Sequence, residues 1–495
     1  LSNPFTLDVD PRFRRMPLPE LGEACFGAWG DLDGDGWPDL VTTHADHVKV
    51  HINARDGTLP LKQSLACGSN PANFVTIGDF DNDGWPDLVV TEINNWHLRI
   101  FRNAGAGNLV SQLSEPLDGR YSATTWVDLD GDGYLDLFVP GHEEVLGRLY
   151  MNEAGSHFRR WTSQDPGRGL FNRSWVFYVA WGDYDADGRM DAAISCATGA
   201  WWLLHRNAAG NYDEVPVMSG PHTWPYGRGE VAWADYDNDG DLDLLMGAYS
   251  SGNTWLFRNN GGVFQKMTEE EVGSVVTDPA SADGVTWGDY DNDGDLDLYV
   301  ARSYFQSANG ETNFFHENLG DGTFRRLRIG SLTSSINTTW TAHWVDYDRD
   351  GFLDLYVPAD EHPPTHLFRN ELGQQGNRNG WLQVRCEGRV TNRDGIGAVV
   401  RVKARIGSAE RWQMRQIASS GSGQPLLTHF GLGDASKVDL VRVEWPSGAV
   451  QEYGDIAINQ SLVIKEPPRL VPVGPCAFEV KCWPGMHFTV QSSAD

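Results

Sequence analysis

Short stretches rich in β-branched and aromatic residues recur along this chain, separated by polar, glycine-containing segments. Val285-Thr-Trp-Gly288 and Leu298-Tyr-Val300 are one such pair. Runs of this kind, bounded by turn residues, predict strands. The segment between these two, Asp289-Tyr-Asp-Asn-Asp-Gly-Asp-Leu-Asp297, places aspartates at alternate positions, a glycine at Gly294 that permits a sharp turn, and a closing carboxylate at Asp297. The unit is predicted to be a β-hairpin whose connection is an acidic loop.

The same pattern begins at Asp31, Asp79, Asp128, Asp183, Asp235, Asp289 and Asp346, at steps of 48 to 57 residues. A period near fifty signals a repeat architecture. Every copy keeps four carboxylates: Asp31, Asp33, Asp35 and Asp39; Asp79, Asp81, Asp83 and Asp87; Asp128, Asp130, Asp132 and Asp136; Asp183, Asp185, Asp187 and Asp191; Asp235, Asp237, Asp239 and Asp243; Asp289, Asp291, Asp293 and Asp297; Asp346, Asp348, Asp350 and Asp354. The seventh position varies (Trp37, Trp85, Tyr134, Arg189, Asp241, Asp295, Phe352), as expected of a residue that contributes its backbone carbonyl. Alternating carboxylates, one carbonyl and a closing carboxylate are the oxygen ligands a calcium ion takes, six to eight in flexible geometry. An EF-hand also opens with alternating aspartates, but it needs a bidentate Glu at position twelve and flanking helices. Here that position is Thr42 in the first copy and Val300 in the sixth, and the flanks are strand-like.

On these residues the chain resembles the FG-GAP or VCBS repeats of integrin-like β-propellers. Asn392-Arg-Asp-Gly-Ile-Gly-Ala398, His429-Phe-Gly-Leu-Gly433, Trp445-Pro-Ser-Gly448 and Asn459-Gln460 resemble the ASPIC/UnbV domain, a combination found in the cartilage acidic protein family. The resemblance implies an all-β chain: a seven-bladed propeller over residues 1–372 with about seven calcium ions, one per blade, then a linker at 373–380 and a small β-sandwich at 381–466. Each repeat reads as strand, loop, strand, variable stretch, a third strand ending in Arg/Glu-Asn (Leu98 to Asn103, Leu256 to Asn259, Phe315 to Asn318), and a fourth strand. The seventh repeat lacks a clear outer strand, so the N-terminal run Phe5-Thr-Leu-Asp-Val9 is expected to close the ring, which would remove exposed edges. Sandwich strands are expected at Trp381–Arg385, Ala398–Lys403, Arg411–Ile417, Val438–Trp445 and Leu462–Ile464. In the Pro-containing extension 467–495, Phe478–Cys482 and His487–Val490 are expected to form a hairpin, packed on its own domain or serving as an assembly arm for a second copy.

Charge sharpens the picture: 39 basic against 68 acidic side chains leave a net −29, much of it in the loops. Seven divalent ions would offset about half of this. Such a chain is not expected to bind nucleic acid, whose affinity comes from Lys and Arg. No apolar run is long enough for a transmembrane helix. Of the six cysteines, Cys476 and Cys482 are close enough to close a short hairpin, and Cys25 and Cys67 flank the first repeat. Cys196 and Cys386 lie on apolar runs and read as buried thiols. The chain begins at Leu1, as a processed secreted chain would. Calcium and disulfides together point to a secreted, cell-surface or periplasmic location.

Trp126, Trp181, Trp233, Trp287 and Trp344 lie two residues before a loop, with Trp29 and Ile77 at the same register. Recurrence at one register predicts packing between blades. His44, His47 and His51 follow the first loop, and His362 and His366, with Asp360 and Glu361, follow the last. Spacing alone leaves open whether these converge on a transition metal. No nucleophile motif stands out. The expectation is a scaffold or adhesion protein that binds protein or glycan partners through propeller loops and self-assembles through its extension. The alternative is a carbohydrate-active enzyme of polysaccharide lyase or sugar dehydratase type, with Trp201, Trp202, Trp224, Tyr226 and Arg228 stacking on sugar.

Overall fold

The computed structural model describes residues 11–481 except 19–20, 22–23, 25, 45, 68–73, 93–96, 117–122, 142–145, 171–175, 197–200, 217–228, 249–252, 279–281, 303–312, 335–339, 359–364, 420–422 and 475–476. Among the described residues the chain is almost wholly β, with helix confined to Glu269–Val272, Ser274–Val276 and Gly330–Ser334. None of these helices is long and apolar enough to cross a membrane.

Up to Asn370 the strands form seven four-stranded antiparallel sheets, arranged as the blades of a β-propeller. The sixth sheet comprises Ala282–Gly288, Asp297–Arg302, Phe314–Asn318 and Phe324–Leu327. Its acidic segment is the hairpin connection, with Gly288 opposite Asp297. The same register recurs in the other sheets, as at Gly30 and Asp39, Gly78 and Asp87, and Val345 and Asp354. Strands that flank the loops are buried on both faces, which explains why they read as continuous apolar runs.

The last sheet draws on both ends of the propeller. His343–Val345, Asp354–Val357 and His366–Asn370 are joined by Phe13–Arg15, with Phe13 opposite Asn370. The run Phe5–Val9 lies outside the described residues, and the pairing strand comes after it in the chain.

Adjacent sheets are fitted together by a glycine and a tryptophan. Gly78, Gly182 and Gly288 end their inner strands beside Trp126, Trp233 and Trp344 of the following sheet, and a Cβ at any of the three would come within 2.6–2.8 Å of the indole. Phe80 stacks on Trp126, Tyr184 on Trp233 and Tyr236 on Trp287, with ring centroids 6.1–6.4 Å apart. Trp29, Trp126, Trp181 and Trp344 are buried. The tryptophan register is therefore seam packing.

After the propeller, seven strands build two sheets. Gly380–Glu387 lies between Thr428–Gly433 and Gln460–Lys465, the latter pairing parallel. The second sheet runs Ala409–Gln416, Val399–Ile406, Val438–Glu444, Val450–Ile456. Leu382, Val384, Val400, Val402, Phe430 and Val441 fill the space between them. Two strands escape the sequence pattern. Thr428–Gly433 contains two glycines, and Val450–Ile456 is a mostly exposed edge with little apolar alternation. The terminal hairpin pairs Ala477–Lys481 with Arg469–Gly474, placing Pro472 opposite Phe478. The expected partner His487–Val490 lies outside the described residues; proline is tolerated in such an edge.

Gly288→Ala should destabilise the calcium-saturated protein by about 1–3 kcal/mol, because the new methyl meets Trp344 in a closed seam. Thermal melting measures this; an unchanged melting temperature would show the seam to be loose.

Candidate metal centres

Every acidic loop is shaped by the same hydrogen bonds. The N–H of the sixth-position glycine donates to the first aspartate at 2.7–3.3 Å, as Gly294 does to Asp289. The N–H of the seventh residue (Trp37, Trp85, Tyr134, Arg189, Asp241, Asp295 or Phe352) donates to the fifth-position aspartate at 2.8–3.0 Å. These bonds wrap the chain so that the carboxylates converge. Oxygens of Asp31, Asp33 and Asp39, of Asp79, Asp81 and Asp87, and of Asp128, Asp130 and Asp136 lie within 4.8 Å of one another.

The closing aspartate has a second task. In each loop one of its oxygens accepts the N–H of the residue after the first aspartate, from Leu32 to Tyr347, at 2.8–3.3 Å. Its other oxygen accepts the N–H of the residue ending the third strand, at 2.7–2.9 Å. That residue is Asn53, Asn103, Asn152, Asn259, Asn318 or Asn370, and Arg206 in the fourth sheet. Each asparagine turns its Nδ2 to a carbonyl in the loop of the preceding sheet at 2.7–2.8 Å, and Arg206 reaches Leu129 O in the same way. Asn53 to Tyr347 O joins the first sheet to the last. The sequence displayed this asparagine as a repeated strand ending, but gave no sign that it bridges two sheets.

Burial pushes the closing carboxyls up, to about 7 at Asp39, about 8 at Asp191 and about 9 at Asp87 and Asp243. Repulsion from the other loop carboxylates adds to this, and the backbone N–H bonds oppose it. Burial and neighbouring charge likewise raise Asp128 and Asp235 to about 7. Carboxylate oxygens of Asp31, Asp235, Asp237, Asp346 and Asp348 are buried without a hydrogen-bond partner. Buried polar atoms are nearly always paired, so an acceptor-only cluster with vacant lone pairs fits a hard cation.

The residue before the bridging asparagine differs from loop to loop. Arg102 pairs with Asp81 and Asp83, Arg258 with Asp237, and Arg369 with Asp348 and Asp350. In the fourth loop this position is His205, whose Nδ1 lies 3.3 Å from both Asp185 and Asp191. In the sixth it is Glu317, which adds a carboxylate and accepts a bond from Tyr290.

Above the loops sits the C-terminal domain, a contact the sequence did not announce. Arg385 reaches Asp31, Gln383 reaches Asp346 and Arg411 reaches Asp295, at 2.9–3.1 Å. The N–H of Asp79 donates to Asp394, and that of Asp183 to Gln416. Asn292 of the sixth loop is held by the His429 ring and by the N–H of Gly433, each at 2.7 Å. Ser419 accepts from Trp126 N–H, Gly423 O from Trp29 N–H, and Gln424 donates to Thr286 and Ala342 O. This segment therefore touches inner strands of four sheets and plugs their common axis. Between plug and sheets lies a chamber of about 430 Å³ bordered by Asp235, Asp289, Asp346, Arg385 and Arg415.

The remaining candidates are placed as follows. His44 stacks on His47, while His44 and His51 both approach the Thr42 hydroxyl and His51 also pairs with Leu59 O. His366 is buried in the last sheet, away from solvent; Asp360, Glu361 and His362 lie outside the described residues. Cys67 and Cys386 are buried thiols, pushed up to about 12 by burial, and Cys196 is also buried. Cys25, Cys476 and Cys482 lie outside the described residues. Trp201 is buried edge-on against Trp255 rather than presented to a sugar; Trp202 is half-buried, and Trp224, Tyr226 and Arg228 lie outside the described residues.

Fold and loops together define a repeat protein of the propeller class with aspartate-lined hairpins. Residues 31–90, 79–139, 235–300 and 304–357 match the FG-GAP-like repeat, and residues 388–470 match the ASPIC and UnbV domain, so this chain is an FG-GAP-repeat protein with an ASPIC and UnbV domain. Among curated proteins it is similar to cartilage acidic protein 1 of Mus musculus, 25% identical over 363 residues, covering 69% of this chain and 52% of the relative. It is also similar to cartilage acidic protein 1 of Homo sapiens, 28% identical over 262 residues, covering 50% and 37%. The chain thus spans about half or less of the length of these relatives. Among solved structures, an Agrocybe aegerita lectin that recognises non-reducing terminal N-acetylglucosamine aligns with TM-score 0.45 at 19% identity, over 66% of this chain and 82% of the lectin.

The raised closing carboxyls fix the sign of a pH response. A carboxyl whose pKa rises on folding stabilises the fold below its unfolded value and loses that contribution as pH climbs through the folded one. In chelator, the melting temperature should fall steadily from about pH 4 towards about pH 9. With calcium the fall should shrink, because the ion takes the place of the protons. A flat profile in chelator would contradict the burial of Asp39, Asp87, Asp191 and Asp243 as the source.

Proposed function

We propose that this chain is an extracellular interaction or scaffold protein whose propeller is held together by about seven calcium ions, one in each loop. In this reading the ligands are the aspartates at positions one, three, five and nine together with the seventh-position carbonyl. The observation that carries it is the set of buried, unpaired carboxylate oxygens at Asp31, Asp235, Asp237, Asp346 and Asp348, each inside a cluster of like charge. A cation satisfies those lone pairs and removes the repulsion in one step.

Calcium here serves the fold. Extracellular modules bind it with dissociation constants of roughly 0.1–1 mM, so a site at the tight end contributes about 1.5 kcal/mol at millimolar calcium. The loops clamped by Arg102, Arg258 and Arg369 bind less tightly, because a guanidinium competes for their oxygens. The partner is a protein or a glycan. With the loop face covered by the C-terminal domain, that partner meets the opposite end of the propeller or the exposed sandwich edge.

Equilibrium calcium binding and thermal melting test this together. About seven ions and a melting temperature raised by many degrees are expected. Asp291→Ala should remove one ion and about 1.5 kcal/mol at millimolar calcium, and Glu317→Arg should weaken the same site while leaving the stoichiometry at high calcium intact. Unchanged melting on chelation, with no ion bound, would end this reading.

A further inference from the structure

We infer that the C-terminal domain is part of the metal-binding apparatus, so that calcium occupancy of the loops and docking of this domain over the propeller axis form one linked equilibrium. The inference rests on the loops being calcium sites, but it adds a claim that binding alone does not contain.

Its basis is where the domain touches. The contacts fall on the loop backbone that a bound ion would hold in shape. The N–H groups of the first aspartates, Asp79 and Asp183, are received by Asp394 and Gln416. Arg393 N–H donates to Asn82, and Gly433 N–H to Asn292 O, both at 2.7 Å. At Gly431 a Cβ would stand 2.0 Å from Asp289 Oδ2 and 2.5 Å from the Asn292 backbone, and at Gly351 of the seventh loop it would stand 1.8 Å from the Trp381 indole. Such a fit needs the loop in one conformation. Without an ion, the four carboxylates of a loop repel one another and the turn that carries these donors is no longer enforced.

Charge alone opposes the coupling: an empty loop carries four negative charges and a loaded one two, so Arg385 and Arg411 are held more weakly over a loaded loop. The positive sign comes from the contacts of Gln416, Arg393 N–H, Gly431 and Gly433 N–H with the loop backbone. Conversely, a docked domain fixes the first aspartate of several loops at once, as outer partners of a metal ligand do. Occupied loops therefore favour docking, and docking favours occupancy. When the ions leave, the domain lifts from the loop face.

The test uses the full chain in calcium and in chelator, following the radius of gyration by solution scattering and the rate of proteolysis in segment 373–380. Chelation is expected to swell the particle and speed cleavage there by about tenfold or more. Gly431→Val is expected to undock the domain even in calcium and to weaken at least one calcium site by about tenfold. Gln383→Ala combined with Gln416→Ala, which removes two uncharged contacts and adds no bulk to the seam, should shift calcium affinity in the same direction and serves if Gly431→Val does not fold. If the protein binds calcium by titration but chelation changes neither radius nor cleavage, the coupling is wrong while the calcium reading stands. Undocking in the paired variant at unchanged calcium affinity would overturn the coupling equally. If no calcium binds at all, both fall together.

Discussion

The propeller depends on a carboxylate held between two backbone N–H groups. The closing aspartate of each loop is buried, and each of its oxygens is committed: one to the start of its own loop, the other to the end of the third strand. That grip fixes the loop against its sheet, and the neighbouring asparagine extends it to the preceding sheet. Burying an ionised group is costly unless it is paired. The cost here is met in part by hydrogen bonds, and the same carboxylates are the ones that could hold a cation, so architecture and candidate metal site share their atoms.

Much of this was legible in the chain. A nine-residue pattern with four carboxylates, repeated seven times and flanked by β-branched residues, specifies a hairpin and a cation loop by local chemistry alone. The tryptophans at one register signal a seam because nothing local explains them. Less visible were features that join distant segments. The asparagine at the end of the third strand reads as an ordinary turn residue, and only the stacked sheets reveal that Asn318 reaches Tyr236 O. Thr428–Gly433 hides as a strand because its glycines serve close approach to another surface, which defeats periodicity. The strand Arg469–Gly474 was also hidden, because prolines argue against a strand, yet an edge position removes that objection.

The C-terminal domain alters how the propeller presents itself. A ring of acidic loops on its own would be an open, strongly charged face. Here that face is an internal boundary, crossed by arginines, amides and backbone donors, and the axis is stopped by a segment that touches four sheets.

The pairing of Phe13–Arg15 with His366–Asn370 also carries a consequence for biosynthesis. Phe13–Arg15 is made before every other described strand of the ring, yet its partner is made only after the other sheets are complete, so the contact spans nearly the whole propeller. Pairings of such long range are slow, and they leave a strand edge exposed while they wait. The C-terminal domain emerges later still and settles on a ring that must already have closed. Ring closure is thus an assembly condition for this polypeptide, and a slow closure would delay the seating of the domain that covers the loops.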